Sequence, residues 1–271
     1  MPKLYENHSK VDLEDLYSRD RIVRSNQGGP VRTVLNGRHT KATGTFISAK
    51  AGFRSLVWES KKAELQCMRI CEASPNVFSM MSQPHRFEFY VSRLRRPLVY
   101  FPDLELSVSP YLVHQLRRGT PFGQAAMKVR VGNVRPSKRR KLVIEIKDRD
   151  DPRLADPFYN EKIRLAEIRY HEIGYEFVVL HRKRDIDCAE LPSIHQVVLD
   201  NRTNVSRSDA RTVRAHLESL GGRGRYDTVS ACLGVGPVGK AKLHALHVRQ
   251  VVCLDLGRPL QPSSDVHLMS Y

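Results

Sequence analysis

Alternation of apolar and polar positions is clearest at Lys141–Lys147. Leu142, Ile144 and Ile146 fall on one face and Val143, Glu145 and Lys147 on the other, which predicts a strand. Arg86–Val91 alternates aromatic and polar residues. Leu98–Leu106 is rich in β-formers around Pro102, and Tyr175–His181 is a further strand. Helical spacing marks Ser60–Glu72, with Ser60 as its N-cap and Pro75-Asn76 as its stop. At about 100° per residue this helix brings Glu64, Met68 and Cys71 to one side, with Leu65 and Cys67 flanking. A second helix, Asn160–Ile173, ends at Gly174. The first fifty residues are polar and weakly periodic, and are expected to form an extension.

The end of the chain reads differently. Ser208 is placed to cap a helix to Leu220, ended by Gly221 and Gly222, and Asp227 a short helix to Leu233. Gly234–Pro237 turns into Gly239–Val248, a third helix. Val251–Leu256 and Val266–Leu268 then read as a hairpin. Three short helices and a hairpin are the parts of a winged helix. The expected fold class is therefore α/β, a mixed sheet flanked by helices, followed by a small winged-helix domain. The expected boundaries are 1–43 for the extension, 44–198 for the α/β domain and 199–271 for the winged helix.

Composition narrows the partners. The chain has 271 residues, is 41% hydrophobic and carries a net charge of +16. It can bury a sizeable core. Runs such as Phe177–Leu180 are too short to span a bilayer, and Met1–Lys10 lacks the apolar segment of a signal peptide, so a soluble, cytoplasmic protein is expected. The stretches 1–50, 51–199 and 200–271 each hold more Lys and Arg than Asp and Glu. That spread points to a polyanion, nucleic acid first, rather than to a basic tail on a neutral domain. The basic run Lys138, Arg139, Arg140 and Lys141, and Lys240 and Lys242 on the predicted third helix, are the candidate DNA contacts. Cysteines 67, 71, 188, 232 and 253 include no CxxC pair and complete no zinc site, so all five are expected as buried thiols.

Pro102-Asp103 ends one β-rich run, and Glu145-Ile146-Lys147 lies in the alternating strand. Phosphodiester hydrolysis calls for these residue types. Hard carboxylate oxygens hold Mg²⁺ or Mn²⁺, the ion lowers the pKa of a bound water, and a lysine offsets charge developing on the phosphoryl group. Spacing of i, i+2 sets Glu145 and Lys147 on one strand face. Glu64 is a third carboxylate, costly on an apolar helix face unless a partner offsets it. The bland reading of Glu64 is an ion pair with an arginine. Glu59 is its rival as the helix-borne acid.

The order of short motifs carries a family resemblance. Gly44-Thr45-Phe46-Ile47-Ser48-Ala49-Lys50, Trp58-Glu59-Ser60, Ala63-Glu64-Leu65, Ser74-Pro75-Asn76-Val77 and Gln83-Pro84 resemble the N-terminal half of TnsA-type transposon endonucleases. Tyr100-Phe101-Pro102-Asp103 and Val143–Lys147 are similar to the family's nuclease motifs, and Gly174-Tyr175-Glu176-Phe177 to its helix-to-strand step. The resemblance implies a restriction-endonuclease-like PD-(D/E)xK fold and a Mg²⁺-dependent nuclease, with Mn²⁺ as a substitute. It implies a bacterial enzyme that cuts double-stranded DNA on the 5′ side of transposon ends. A TnsB-like DDE-type transposase cuts the 3′ side, and a TnsC-like AAA+ regulator joins them. On the same footing Asp103 is the central metal ligand, Glu145 the acid two before the lysine, Lys147 the catalytic lysine and Glu64 the helix-borne acid. The separation of Asp103 from Glu145 exceeds a simple hairpin, so about 109–140 is expected as an insertion. The Glu59-to-Glu64 gap is one residue longer than the family pattern, which leaves both acids in play. A stand-alone restriction or defence nuclease of the same fold, and a non-catalytic DNA-binding protein, are the competing readings.

Overall fold

The computed structural model describes residues 11–17 as backbone, and 20–32, 42–90, 97–148 and 155–269 in full. The alternating segment is the strand Arg140–Lys147 (β9), inside a four-stranded sheet. Its neighbours are Leu104–Val108 (β8), antiparallel with Leu104 opposite Ile144, and Glu176–His181 (β10), parallel with Glu176 opposite Leu142. Val77–Ser82 (β5) closes the other edge, antiparallel to β8. Leu142, Ile144 and Ile146 join Leu104, Leu106, Met68 and Cys71 in one apolar cluster, while Val143 joins a second with Tyr159, Ile163, Tyr170 and Phe177. One face is covered by Glu64–Ala73 (α1), the other by Pro157–Glu172 (α4). Asp156 caps α4 by accepting the Phe158 N–H at 2.9 Å, Pro157 follows at the first helical position, and Gly174 turns the chain at φ 79°.

The run Leu98–Leu106 is split. Leu98–Tyr100 (β7) and Leu104–Val108 lie in different sheets. Pro102, with a fixed φ and no N–H to donate, breaks the ladder between them. β7 pairs with Arg86–Phe89 (β6), which pairs with Asp20–Ser25 (β2), itself in a hairpin with Val11–Tyr17 (β1). Residues 20–32 are thus part of the body, against the expected polar extension. Ile22 and Val23 are 2% and 1% exposed, and Ile22 packs with Phe87, Phe89 and Tyr100 on Tyr170. The rest of the 1–43 segment that falls at 1–10, 18–19 and 33–41, and Val91, lie outside the described residues. A second hairpin, Gly44–Ser48 (β3) with Arg54–Trp58 (β4), buries Leu56 beside α1. The expected insertion holds Pro110–Arg117 (α2) and Phe122–Ala126 (α3), and Leu112, Val113, Phe122 and Met127 enter the main core.

Leu191–Leu199 (α5) leads to Arg207–Ser219 (α6), Arg223–Arg225 (β11), Tyr226–Ala231 (α7), Pro237–Val248 (α8), Val252–Leu254 (β12) and Asp265–Leu268 (β13). The three strands form an antiparallel sheet in the order β11-β13-β12. The cap of α6 is Ser206, in a reciprocal box with Asp209, two residues before the expected Ser208. Val213, Leu217, Leu243, Leu246 and Val252 belong to the same apolar cluster as Leu104 and Leu142, so the boundary at 198–199 does not divide the core. Leu243 to Val248 are all buried. His247 takes part by donating Nε2–H to the Ala73 carbonyl at 2.6 Å and accepting the Leu254 N–H at Nδ1. Burial holds its pKa down at about 3, so the ring is neutral. Cys67, Cys71 and Cys253 are buried as expected, whereas Cys188 is half-buried and Cys232 exposed. No helix among the described residues is long and apolar enough to cross a membrane.

Candidate active site

Asp103 stands where the ladder between β8 and β9 ends. Its Oδ2 accepts the Ile146 N–H at 2.7 Å, replacing a backbone carbonyl that the Pro102 break removes. Its own carbonyl accepts the Gln83 N–H. Glu145 and Lys147 point into the second apolar layer and are 3% and 2% exposed. Charge there survives only with partners. Lys147 Nζ lies 2.6 Å from Glu145 Oε1, and the Tyr159 hydroxyl donates to the same oxygen at 2.7 Å. Lys147 also bonds the Tyr159 hydroxyl, and the Tyr100 hydroxyl donates to Glu145 Oε2. Tyr159 comes from the first turn of α4 and Tyr100 from the end of β7. Burial, then the charge of Glu145, pushes the Tyr100 phenol well up, so it stays a donor.

The two rival acids are separated by their bonds. Glu59 pairs with Arg32 at 2.6 Å in a half-exposed ion pair. Glu64, the first residue of α1, turns back to accept the Glu59 N–H on Oε2 at 2.8 Å. Its carboxyl is pushed up to about 7, by burial first; the Glu59 N–H opposes this, and the charges of Glu59 and Glu145 add to it. Asp103 is driven well above the usual carboxylate range by burial, then by the charges of Glu145 and Glu64, with the Ile146 N–H and Lys147 opposing. Glu64, Asp103, Glu145 and Lys147 therefore feel one another at one end of the sheet. Ser60, the expected helix cap, accepts the Ala63 N–H and the Leu65 N–H in a turn just ahead of α1.

Among the described residues no group of three or more His, Cys, Asp or Glu side chains is gathered as a set able to hold a metal ion. The donor chemistry nevertheless fits a hard divalent cation. Among the described residues Asp103 Oδ1 and Glu64 Oε1 accept no hydrogen bond, whereas both oxygens of Glu145 are engaged. Two half-free carboxyl groups with raised pKa, repelling each other, are the arrangement that a cation relieves.

The basic candidates lie elsewhere. Lys138–Lys141 sit at the opposite end of β9 from Lys147, and Lys141 is tied to the Tyr175 hydroxyl at 2.6 Å. Lys240 is exposed on α8, and Lys242 bonds Asp209 at 2.8 Å. Tyr100, Tyr159 and Arg32 were not anticipated as site residues. Tyr100 stands in the Tyr100-Phe101-Pro102-Asp103 motif, but nothing local marks Tyr159, whose role comes from the docking of α4. The chain matches no model of a known protein family and no curated protein.

Proposed function

We propose that the protein is a divalent-metal-dependent DNA endonuclease with a restriction-endonuclease-like core. The observation that carries this reading is that Asp103 binds the Ile146 N–H between Glu145 and Lys147, themselves 2.6 Å apart, with the Glu64 carboxyl near enough for its charge to act on Asp103. The succession of α1, the antiparallel strands β5, β8 and β9, α4 and the parallel strand β10 supports such a core. The succession α6, β11, α7, α8, β12, β13 supports a winged helix after it. A net charge of +16 supports a nucleic-acid substrate. The setting we infer from the motif resemblance is cutting of the 5′ side of transposon ends beside a DDE-type transposase and an AAA+ regulator.

Asp103 and Glu64 would hold Mg²⁺ or Mn²⁺, with Glu145 joining them only on exchange of a tyrosine bond, and such an ion, once bound, supplies Lewis-acid polarisation of the phosphoryl oxygen and a water of lowered pKa. The chain supplies the rest. Glu145 and the Tyr159 hydroxyl fix the Lys147 ammonium where it offsets negative charge on the phosphate and orients an attacking water. Tyr100 and Tyr159 hold the Glu145 carboxylate at both oxygens. Ile146 N–H and Glu59 N–H each fix one oxygen of Asp103 and Glu64, leaving the other for the ion.

One observation favours a second reading, a non-catalytic DNA-binding protein: both oxygens of Glu145 are taken and Lys147 is 2% exposed. Nicking of supercoiled DNA in Mg²⁺ and Mn²⁺, with and without a DDE-type transposase, separates the two. Loss of nicking in Asp103→Ala and Lys147→Ala, with DNA binding in EDTA retained, is the expected result. Cutting at the parental rate by either variant overturns the site, and no cutting under any condition leaves the binding protein.

A further inference from the structure

Residues 128–141 hold seven Lys and Arg and no Asp or Glu. The backbone that presents them is held firmly. Asn76 Nδ2 donates to the Lys128 carbonyl at 2.8 Å, and Arg130 Nε to the Pro75 carbonyl at 2.8 Å. A 3₁₀ turn at Pro136–Lys138, closed by the Lys138 N–H on the Arg135 carbonyl, leads straight into β9. Phe78 sits where the register of the edge strand β5 slips between Val77 and Ser79. A bulge of this kind re-aims the side chain it carries. The Phe78 ring is flanked by the guanidinium of Arg139 at 4.0 Å and that of Arg130 at 5.0 Å. Burial lowers the pKa of Arg130, a charge on Cys253 opposes this, and the nearby Arg139 lowers it further.

Arg135, Lys138 and Arg140 are exposed, and none pairs with an acid among the described residues. Like charges held together without counter-charges repel, and an anion relieves them. The aromatic surface of Phe78 is already spent on two arginines, so what faces outward is charge rather than an apolar anchor of the kind protein interfaces use. Phosphate contact requires only such charge. The site lies apart from the carboxylates. Arg140 and Lys147 end the same strand, and at about 3.3 Å per residue they stand roughly 23 Å apart.

We infer that the face built by Arg135, Lys138, Arg139 and Arg140 over Phe78 is a second nucleic-acid contact, which holds the phosphate backbone of duplex DNA without reading its sequence. The inference does not depend on the nuclease reading, because it is tested without metal. Binding of a labelled duplex to the full chain would be followed in EDTA across roughly 50 to 200 mM salt. The triple variant Arg135→Gln/Lys138→Gln/Arg140→Gln should bind more weakly, by the same factor for two unrelated sequences. Its slope of log affinity against log salt should be shallower by about 2.7, at about 0.9 per lost phosphate contact. The charge-keeping variant Arg135→Lys/Arg140→Lys should keep the parental slope. Thermal melting checks that each variant folds. An unchanged slope in the folded triple variant overturns the proposal and leaves an acidic protein as the occupant of this face. A loss confined to one of the two sequences overturns its phosphate-only character.

Discussion

The Tyr159 hydroxyl donates to Glu145 Oε1 at 2.7 Å, and Lys147 bonds both that hydroxyl and that oxygen, so one phenol ties the acid and the lysine together. Tyr159→Phe removes a donor from Glu145 and an acceptor from Lys147, both buried. A stability loss of about 1–3 kcal/mol is expected, since the charged partners are left under-bonded. Nicking should fall at least about tenfold, or 1.4 kcal/mol, with DNA affinity in EDTA unchanged. Tyr100→Phe removes only the bond to Glu145 Oε2 and should cost less. Single-turnover nicking beside thermal melting checks the order, and a larger rate effect in Tyr100→Phe contradicts it.

Glu64 gives a pH signature. Its carboxyl titrates at about 7 in the folded chain, against about 4.5 when exposed. An acid with a raised folded pKa costs stability in its ionised form. The penalty is absent below about pH 4.5, grows as pH rises and is complete above about pH 7. Glu64→Gln should therefore gain stability relative to the parent between pH 5 and pH 8, by on the order of 1–3 kcal/mol. Mg²⁺ should raise the parental melting temperature at pH 8 and do so less in Glu64→Gln. Glu59→Gln breaks the half-exposed pair with Arg32, worth less than about 1 kcal/mol, and removes one of the charges that raise the Glu64 carboxyl. Melting of both variants across that range is the measurement. A pH-independent Glu64→Gln difference shows that the carboxyl is not held up by its surroundings.

What was legible in the sequence follows from which contacts are local. The i, i+2 faces of β9 are local, and they set Glu145 and Lys147 on one side and Leu142, Ile144 and Ile146 on the other. Pro102 marks a real break for the same reason. The pairing of β2 with β6 is not local, since Ile22 lies opposite Phe87, and the short apolar pair Ile22-Val23 carries no sign of its partner. Tyr159 gains its role only when α4 docks on β9. The burial of His244 and His247 on α8 is not local either. Each is satisfied by distant partners, Asp200 and Tyr226 for His244 and Ala73 and Leu254 for His247.

Glu105 anchors the second layer. Arg24 pairs with it at 2.8 Å, and His85 Nδ1 lies 3.0 Å away. Burial alone raises its carboxyl, but the bonds and charges of His85 and Arg24 outweigh that and carry it down to about 2. A depressed acid contributes stability that is fully present above its unfolded pKa of about 4.5 and is lost as pH falls toward 2. The contribution is on the order of 3 kcal/mol. Acid unfolding followed from pH 6 to pH 2 should show a parental loss in that window, and Glu105→Gln should show much less of it. Equal acid sensitivity in the two proteins rules the assignment out.

Lys240 and Lys242 should part company. Both lie near the start of α8, yet Lys242 is bound to Asp209 at 2.8 Å and that pair links α8 to the cap of α6. The Asp209 carboxyl is held at about 2, by the Lys242 bond first and the Ser206 N–H second. A cation committed to an internal acid releases no counterion when DNA binds, so Lys242→Ala should leave the salt slope of binding unchanged. Its cost is stability, about 1 kcal/mol for a half-buried pair at the surface. Asp209→Ala should cost more, because it also removes the reciprocal half of the cap. Lys240 is exposed and forms no such pair among the described residues, so Lys240→Ala should flatten the slope by about 0.9 if α8 meets the phosphates. If the slope holds in Lys240→Ala and flattens in Lys242→Ala, the Lys242–Asp209 pair opens on DNA and α8 turns a different face to the duplex.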